Sequence, residues 1–126
     1  MKLTQLLNMQ TPIQTIIDQR IPFGLAYKFT KAATIIEENQ KFYTDSLHKL
    51  LKDYAQIDEN GQYKLTDNGQ GVLIKPEFMS EFNEKLAELD SLEVDVELPK
   101  FTLAEIEDKV EITPRDLYPL MCLFED

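Results

Sequence analysis

One cysteine, one histidine, four glycines and no tryptophan occur in 126 residues, and cations are scarce, with 13 Lys and Arg against 23 Asp and Glu. Each shortage excludes something. The single Cys122 rules out an intramolecular disulfide, and its neighbours Leu120, Met121, Leu123 and Phe124 predict a thiol packed in the core. With His48 as the sole imidazole, a zinc site would have to be completed by Cys122 and carboxylates, a poor match to structural or hydrolytic ligand sets. His48 also sits among Ser46, Lys49 and Lys52 on the polar side of its helical pattern, which disfavours a Cys122/His48 nucleophile pair. There is no GxGxxG, no GxxxxGKS or GxxxxGKT and no HExxH, so no cofactor, no metal and no enzymatic activity are expected. No run approaches the ~18 consecutive apolar residues of a membrane span. Residues 1–9 hold one lysine and a broken apolar patch, without the core of a signal peptide, so the expected location is the cytoplasm.

The shortage of cations is uneven. Residues 1–56 carry seven Lys and Arg against five Asp and Glu, a net +2, whereas residues 57–126 carry six against eighteen, a net −12. Such a surface repels phosphate backbones, so direct nucleic-acid binding is not expected, just as the lack of a long apolar run makes membrane insertion unexpected. Solubility is the simplest role for the acidity.

What the chain does have is a seam. Apolar residues at Leu25, Phe29, Ala32, Ile36, Tyr43, Leu47, Leu50 and Tyr54 keep steps of three and four, the spacing of one long amphipathic helix. About thirty helical residues rise about 45 Å, more than a globule of this size naturally encloses, so part of the seam needs a partner. Thr11-Pro12 is a helix-start signal before Ile13, Ile16 and Ile17. Pro22 disfavours helix at Ile21 and so separates that helix from the long one, which should end near Ala55. Asp58-Glu59-Asn60-Gly61 and Asp67-Asn68-Gly69-Gln70-Gly71 are turn clusters, and residues 62–65 and 72–75 around the second predict a small β-hairpin. Helix resumes at Pro76 through Phe78, Phe82, Leu86 and Leu89.

Leu92, Val94, Val96 and Leu98 alternate with Glu93, Asp95 and Glu97, predicting a strand with one wet face, and residues 109–112 offer a second strand to pair with it. Thr113-Pro114-Arg115-Asp116 starts a final helix with Leu117, Leu120, Met121 and Phe124 inward, bent or delayed by Pro119. The expected fold is α+β, mainly α: a single domain over residues 1–126. It comprises a long antiparallel helical hairpin (24–91) with a β-hairpin at its tip, then an acidic strand, ribbon and C-terminal helix (92–126).

Two acidic groupings resemble cation sites. Asp58, Asn60 and Gln62 start like a calcium loop, but Tyr63 and Gly69 stand where glycine and a bidentate glutamate are needed. Glu93, Asp95 and Glu97 could gather a cation with help from Glu111, but a solvated strand face is the expected reading of these three carboxylates.

The order of elements resembles a family of small tailed-bacteriophage and prophage proteins with an acidic C-terminal half. The residues that carry it are Ile21-Pro22, Leu25-Ala26-Tyr27-Lys28, Asp58-Glu59-Asn60-Gly61, Glu81-Phe82, Glu93-Val94-Asp95-Val96 and Ile112-Thr113-Pro114-Arg115-Asp116-Leu117. The glycine-rich run 68–71 and Cys122 depart from its pattern. The resemblance implies a phage origin, no catalytic residues, and residence in a bacterial host cytoplasm or in the virion. The expected role is a non-enzymatic interaction protein, a minor virion or assembly component that packs through helical faces against itself or other phage structural proteins. The alternative is an acidic inhibitor or nucleic-acid mimic that binds a host or defence enzyme. The residues expected to meet a partner are Phe29, Ile36 and Tyr43 on the seam and Glu93, Asp95 and Glu97 on the acidic strand.

Overall fold

The computed structural model describes residues 1–125. It is mainly α with a little β: α1 (Leu3–Leu7), α2 (Gln10–Ile17), α3 (Phe23–Tyr54), α4 (Met79–Asp90), β1 (Phe101–Thr102), α5 (Leu103–Ile106), α6 (Pro114–Leu117) and β2 (Phe124–Glu125). Short 3-10 segments, Pro76–Phe78 and Tyr118–Leu123, precede α4 and β2. No helix among the described residues is long and apolar enough to cross a membrane. The chain divides into two compact units, one of Met1–Gln40 with the chain from Glu93 onward, the other Lys41–Leu92, and α3 contributes to both.

The first unit is built on three apolar stripes. Leu6, Met9, Ile13 and Ile16 of the N-terminal helices repeat at helical spacing and are all buried, as are Leu25, Phe29, Ala32, Ala33 and Ile36 of α3. Phe101, Ile106, Leu120 and Leu123 complete the core. The Phe29 and Phe101 rings stack with centroids 4.4 Å apart, and Lys28 Nζ lies 5.0 Å from the Phe101 centroid. The same ammonium donates to the Lys100 carbonyl and to Glu105 Oε1, each at 2.9 Å. Glu105 has a second duty. Its Oε2 accepts from the Thr102 amide at 2.7 Å while Thr102 Oγ1 accepts from the Glu105 amide at 3.3 Å, a capping box that starts α5. Its signature in the sequence is Thr102 followed three residues later by Glu105.

Several expectations are corrected in this unit. α2 starts one residue before Thr11, with Met9 at its cap in helical conformation, and Pro12 is buried inside the first turn, where its missing amide hydrogen is harmless. Residues 92–98 form no strand. Their burial alternates as expected, with Val94, Val96 and Leu98 packed on the core, but the only pairing is an antiparallel bridge between Glu93 and Lys2 and the Val94 amide donating to the Met1 carbonyl at 2.9 Å. Residues 109–112 form no strand either. Asp108 turns the chain at φ 65°, a left-handed conformation that Asp tolerates better than most residues, and a side chain takes the place of a neighbouring strand. Gln19 Nε2 donates to the Glu111 carbonyl at 2.6 Å and Gln19 Oε1 accepts from its amide at 2.8 Å. The two-residue sheet is instead parallel, Phe101 with Phe124 and Thr102 with Glu125.

In the second unit, Ala55, Ile74 and Phe82 are buried, with Leu50, Leu51, Tyr54, Val72 and Leu86 packed around them. Tyr43 Oη donates to Asp90 Oδ1 at 2.8 Å, and Tyr54 packs on Phe78 and Phe82 with centroids 5.5 and 6.3 Å away. Burial, and then the Asp90 carboxylate, raises the Tyr43 phenol above its ordinary pKa. Beyond α3 the backbone closes a ring of hydrogen bonds. The Gln56 amide donates to the Leu73 carbonyl (2.8 Å), the Leu73 amide to the Lys64 carbonyl (2.8 Å) and the Lys64 amide to the Gln56 carbonyl (2.9 Å). Each side of this triangle flanks one antiparallel bridge: Ala55 with Ile74, Ile57 with Tyr63, Leu65 with Val72. Each run pairs at one position and then hands over to the next, so no ladder extends. Gly61 (φ 78°) and Gly69 (φ 70°) supply the left-handed turns that the two clusters signalled.

Removing the Phe29 ring should show how much of the first unit rests on the stack: Phe29→Ala is expected to cost about 3–5 kcal/mol in a urea titration, as for other buried aromatics. Tyr43→Phe should cost about 0.5–1.5 kcal/mol in the same assay through loss of its bond to Asp90. Lys28 and the Thr102 amide hold the Glu105 carboxyl below its ordinary 4.5. A carboxylate depressed on folding contributes stability above its unfolded value that is lost as pH falls through the folded one. Below about pH 4.5 the wild type should therefore weaken more steeply than Glu105→Gln, measured as urea midpoints against pH.

Candidate interaction surface

Pro119 decides the local structure of the C-terminal segment. Thr113 Oγ1 accepts from the Asp116 amide at 3.2 Å and Pro114 occupies the first turn, so α6 begins as the sequence signals. Pro119 has no amide hydrogen to continue an α-helix, and the chain tightens into the 3-10 segment Tyr118–Leu123. Its three-residue period sends Leu120 and Leu123 into the core and turns Tyr118 (79% exposed), Met121 (59%) and Cys122 outward. The inward placement of Met121 expected from a helical period, and the core packing of Cys122 expected from its apolar neighbours, are thereby overturned.

These outward residues face α1 and the start of α2 across a cavity of about 760 Å³ lined by Met1, Gln5, Asn8, Met9, Tyr118 and Met121, with Pro119 and Cys122. Its volume falls within the usual range for ligand sites, about 300–1,000 Å³. A second hollow of about 470 Å³ shares Met1 and Cys122 with it and runs beside Val96, Glu97, Leu98 and Lys100. Lys100 Nζ donates to the Cys122 carbonyl at 2.9 Å. The two hollows adjoin at the shared Met1 and Cys122, and this surface, the trough, has methionine, tyrosine and aliphatic walls and polar amides from Gln5 and Asn8. Unbranched thioethers of this kind adapt to varied surfaces.

Of the sequence-designated residues, Phe29 and Ile36 are 1% and 0% exposed inside the first unit, so that part of the seam is covered by the chain's own N-terminal helices and C-terminal segment. Tyr43 is half-buried in the second unit against Asp90. Glu93, Asp95 and Glu97 are exposed on the segment that borders the trough, and Glu97 lines its smaller hollow. The Glu93 carboxylate accepts from the Met1 amine at 2.9 Å. Among the described residues Asp95 and Glu97 form no ion pair, and no group of three or more His, Cys, Asp or Glu side chains converges. Asp58 Oδ1 is occupied by the amides of Asn60 and Gln62, at 2.9 and 3.0 Å, which closes the turn. The trough residues Met9, Tyr118, Met121 and Cys122 are not among the residues expected from sequence to meet a partner. Pro119 inside a helical pattern was the signal that could have found three of them.

Comparison with known proteins adds one partial likeness. The chain is 32% identical over 119 aligned residues to E3 ubiquitin-protein ligase BRE1-like 1 of Arabidopsis thaliana, an alignment covering 87% of this chain and 14% of that protein. The chain therefore spans about one seventh of the length of the curated relative it matches. No family model matches it, and no solved structure does.

Proposed function

We propose that the chain is a non-enzymatic interaction protein of the phage type, a minor virion or assembly component that docks other proteins, itself included, in a bacterial host. The observation that carries this reading is the apolar trough of the first unit, where Tyr118 and Met121 stand in solvent beside a cavity of about 760 Å³. Exposed aromatics at the start of α3, Phe23 (95%) and Tyr27 (67%), add a second sticky surface. In the same reading, residues 24–91 are an antiparallel helical hairpin with a β tip. The Tyr43 to Asp90 bond toward one end and the Tyr54 contacts with Phe78 and Phe82 toward the other support that geometry. The phage origin rests on the resemblance of element order and sequence described above.

A second reading, an acidic inhibitor or nucleic-acid mimic, is favoured by the net −12 of residues 57–126 and by the unpaired, exposed Asp95 and Glu97. Mass spectrometry of purified phage particles and of assembly intermediates separates the two. The protein should appear at a fixed ratio to the major structural proteins. Its absence from both, together with copurification of a nuclease or polymerase at low salt, would replace the first reading by the second.

A further inference from the structure

Resting on the reading of this chain as an interaction protein, we infer that residues 94–100 are a strand-addition site for an extended basic peptide with alternating apolar residues. The segment has the alternating burial of a strand. Val94, Val96 and Leu98 are packed on the core while Glu93, Asp95 and Glu97 face outward. Pairing fixes both of its ends, Glu93 to Lys2 and Phe101 to Phe124. Among the described residues, 95–99 make no backbone hydrogen bond, which leaves the amides of residues 95–98 and the carbonyls of 95–99 without a main-chain partner beside the hollow that Val96, Glu97, Leu98 and Leu123 line. A preformed edge of this kind binds by main-chain hydrogen bonds without the entropic cost of ordering it, and side-chain pockets then select the sequence.

Charge selects the occupant. Exposed carboxylates at alternate positions lie about 7 Å apart along a strand face; the Met1 ammonium is paired with Glu93 at 2.9 Å and Lys100 is engaged with the Cys122 carbonyl, which leaves Asp95 and Glu97 for an added strand. Lysine or arginine at alternate positions of an added strand would meet Asp95 and Glu97, and its intervening aliphatic residues would enter the hollow. A second copy of the same edge would instead place carboxylates opposite carboxylates, which is destabilising. A nucleic-acid strand is repelled for the same reason.

The test uses the full chain and a fluorescent Lys-Val-Lys-Val-Lys-Val-Lys peptide followed by anisotropy at low salt. Binding is expected to weaken about tenfold in the double variant Asp95→Asn, Glu97→Gln, and to disappear when alternate peptide amides are N-methylated, which removes main-chain donors and keeps the charge. Amide hydrogen exchange of residues 95–98 should slow in the complex. Equal binding of the N-methylated peptide, equal binding of a Glu-Val analogue, or no binding by wild type would overturn the site. A protein found in particles that nevertheless ignores the peptide loses this site alone and keeps its role as an interaction protein.

Discussion

The contact between Phe29 and Phe101 is the constraint on which the first unit depends. It joins α3 to a segment 72 residues later, and it works because neighbouring groups act together: the Lys28 ammonium covers the Phe101 ring while binding the Lys100 carbonyl and Glu105. Glu105 in turn starts α5 through Thr102. A stacked pair buried among aliphatic residues supplies the apolar free energy, and the cation, capped and partly dehydrated, fixes the register at which the two segments meet. With the chain held at 100–105, Val94, Val96 and Leu98 of the preceding segment pack on the core, and β1 is placed to receive β2.

The trough follows from this placement and from Pro119. A helix continuing at 3.6 residues per turn through residues 118–123 would have buried Met121. The tighter period divides the segment into two inward leucines and three outward residues that form a wall. The surface most suited to contact with other molecules is thus made by a local backbone chemistry that has no motif of its own, and it differs from the long helical seam on which a sequence reading concentrates. In its first half that seam is consumed by the fold.

Much of the helical architecture was legible because it rests on local rules. The limits of α3, the proline starts at Pro76 and Pro114, the Thr113 cap and the positive φ of Gly61 and Gly69 all follow from side chains within a few residues of one another. The alternating burial of residues 93–98 was legible for the same reason. Whether a ladder partner lies beside that segment is a non-local matter, and none does. At residues 109–112 the apolar alternation was real, yet Gln19, far away in sequence, satisfies the backbone that a strand would have satisfied. The candidate site was least legible: the three carboxylates were singled out and are exposed, whereas Phe29 and Ile36 were singled out and are buried.

The triangle formed by Gln56, Lys64 and Leu73 has a consequence for how this chain can vary. Each corner satisfies the other two, so the stretches that leave and rejoin it, residues 58–62 and 66–71, owe little to the ring for their own length or sequence. Lengthening a loop whose ends are already pinned costs only about 0.6 kcal/mol per doubling. The corner residues make the end of α3 a natural graft point, where foreign segments can be displayed on a fixed stem while the rest of the molecule is left as it is.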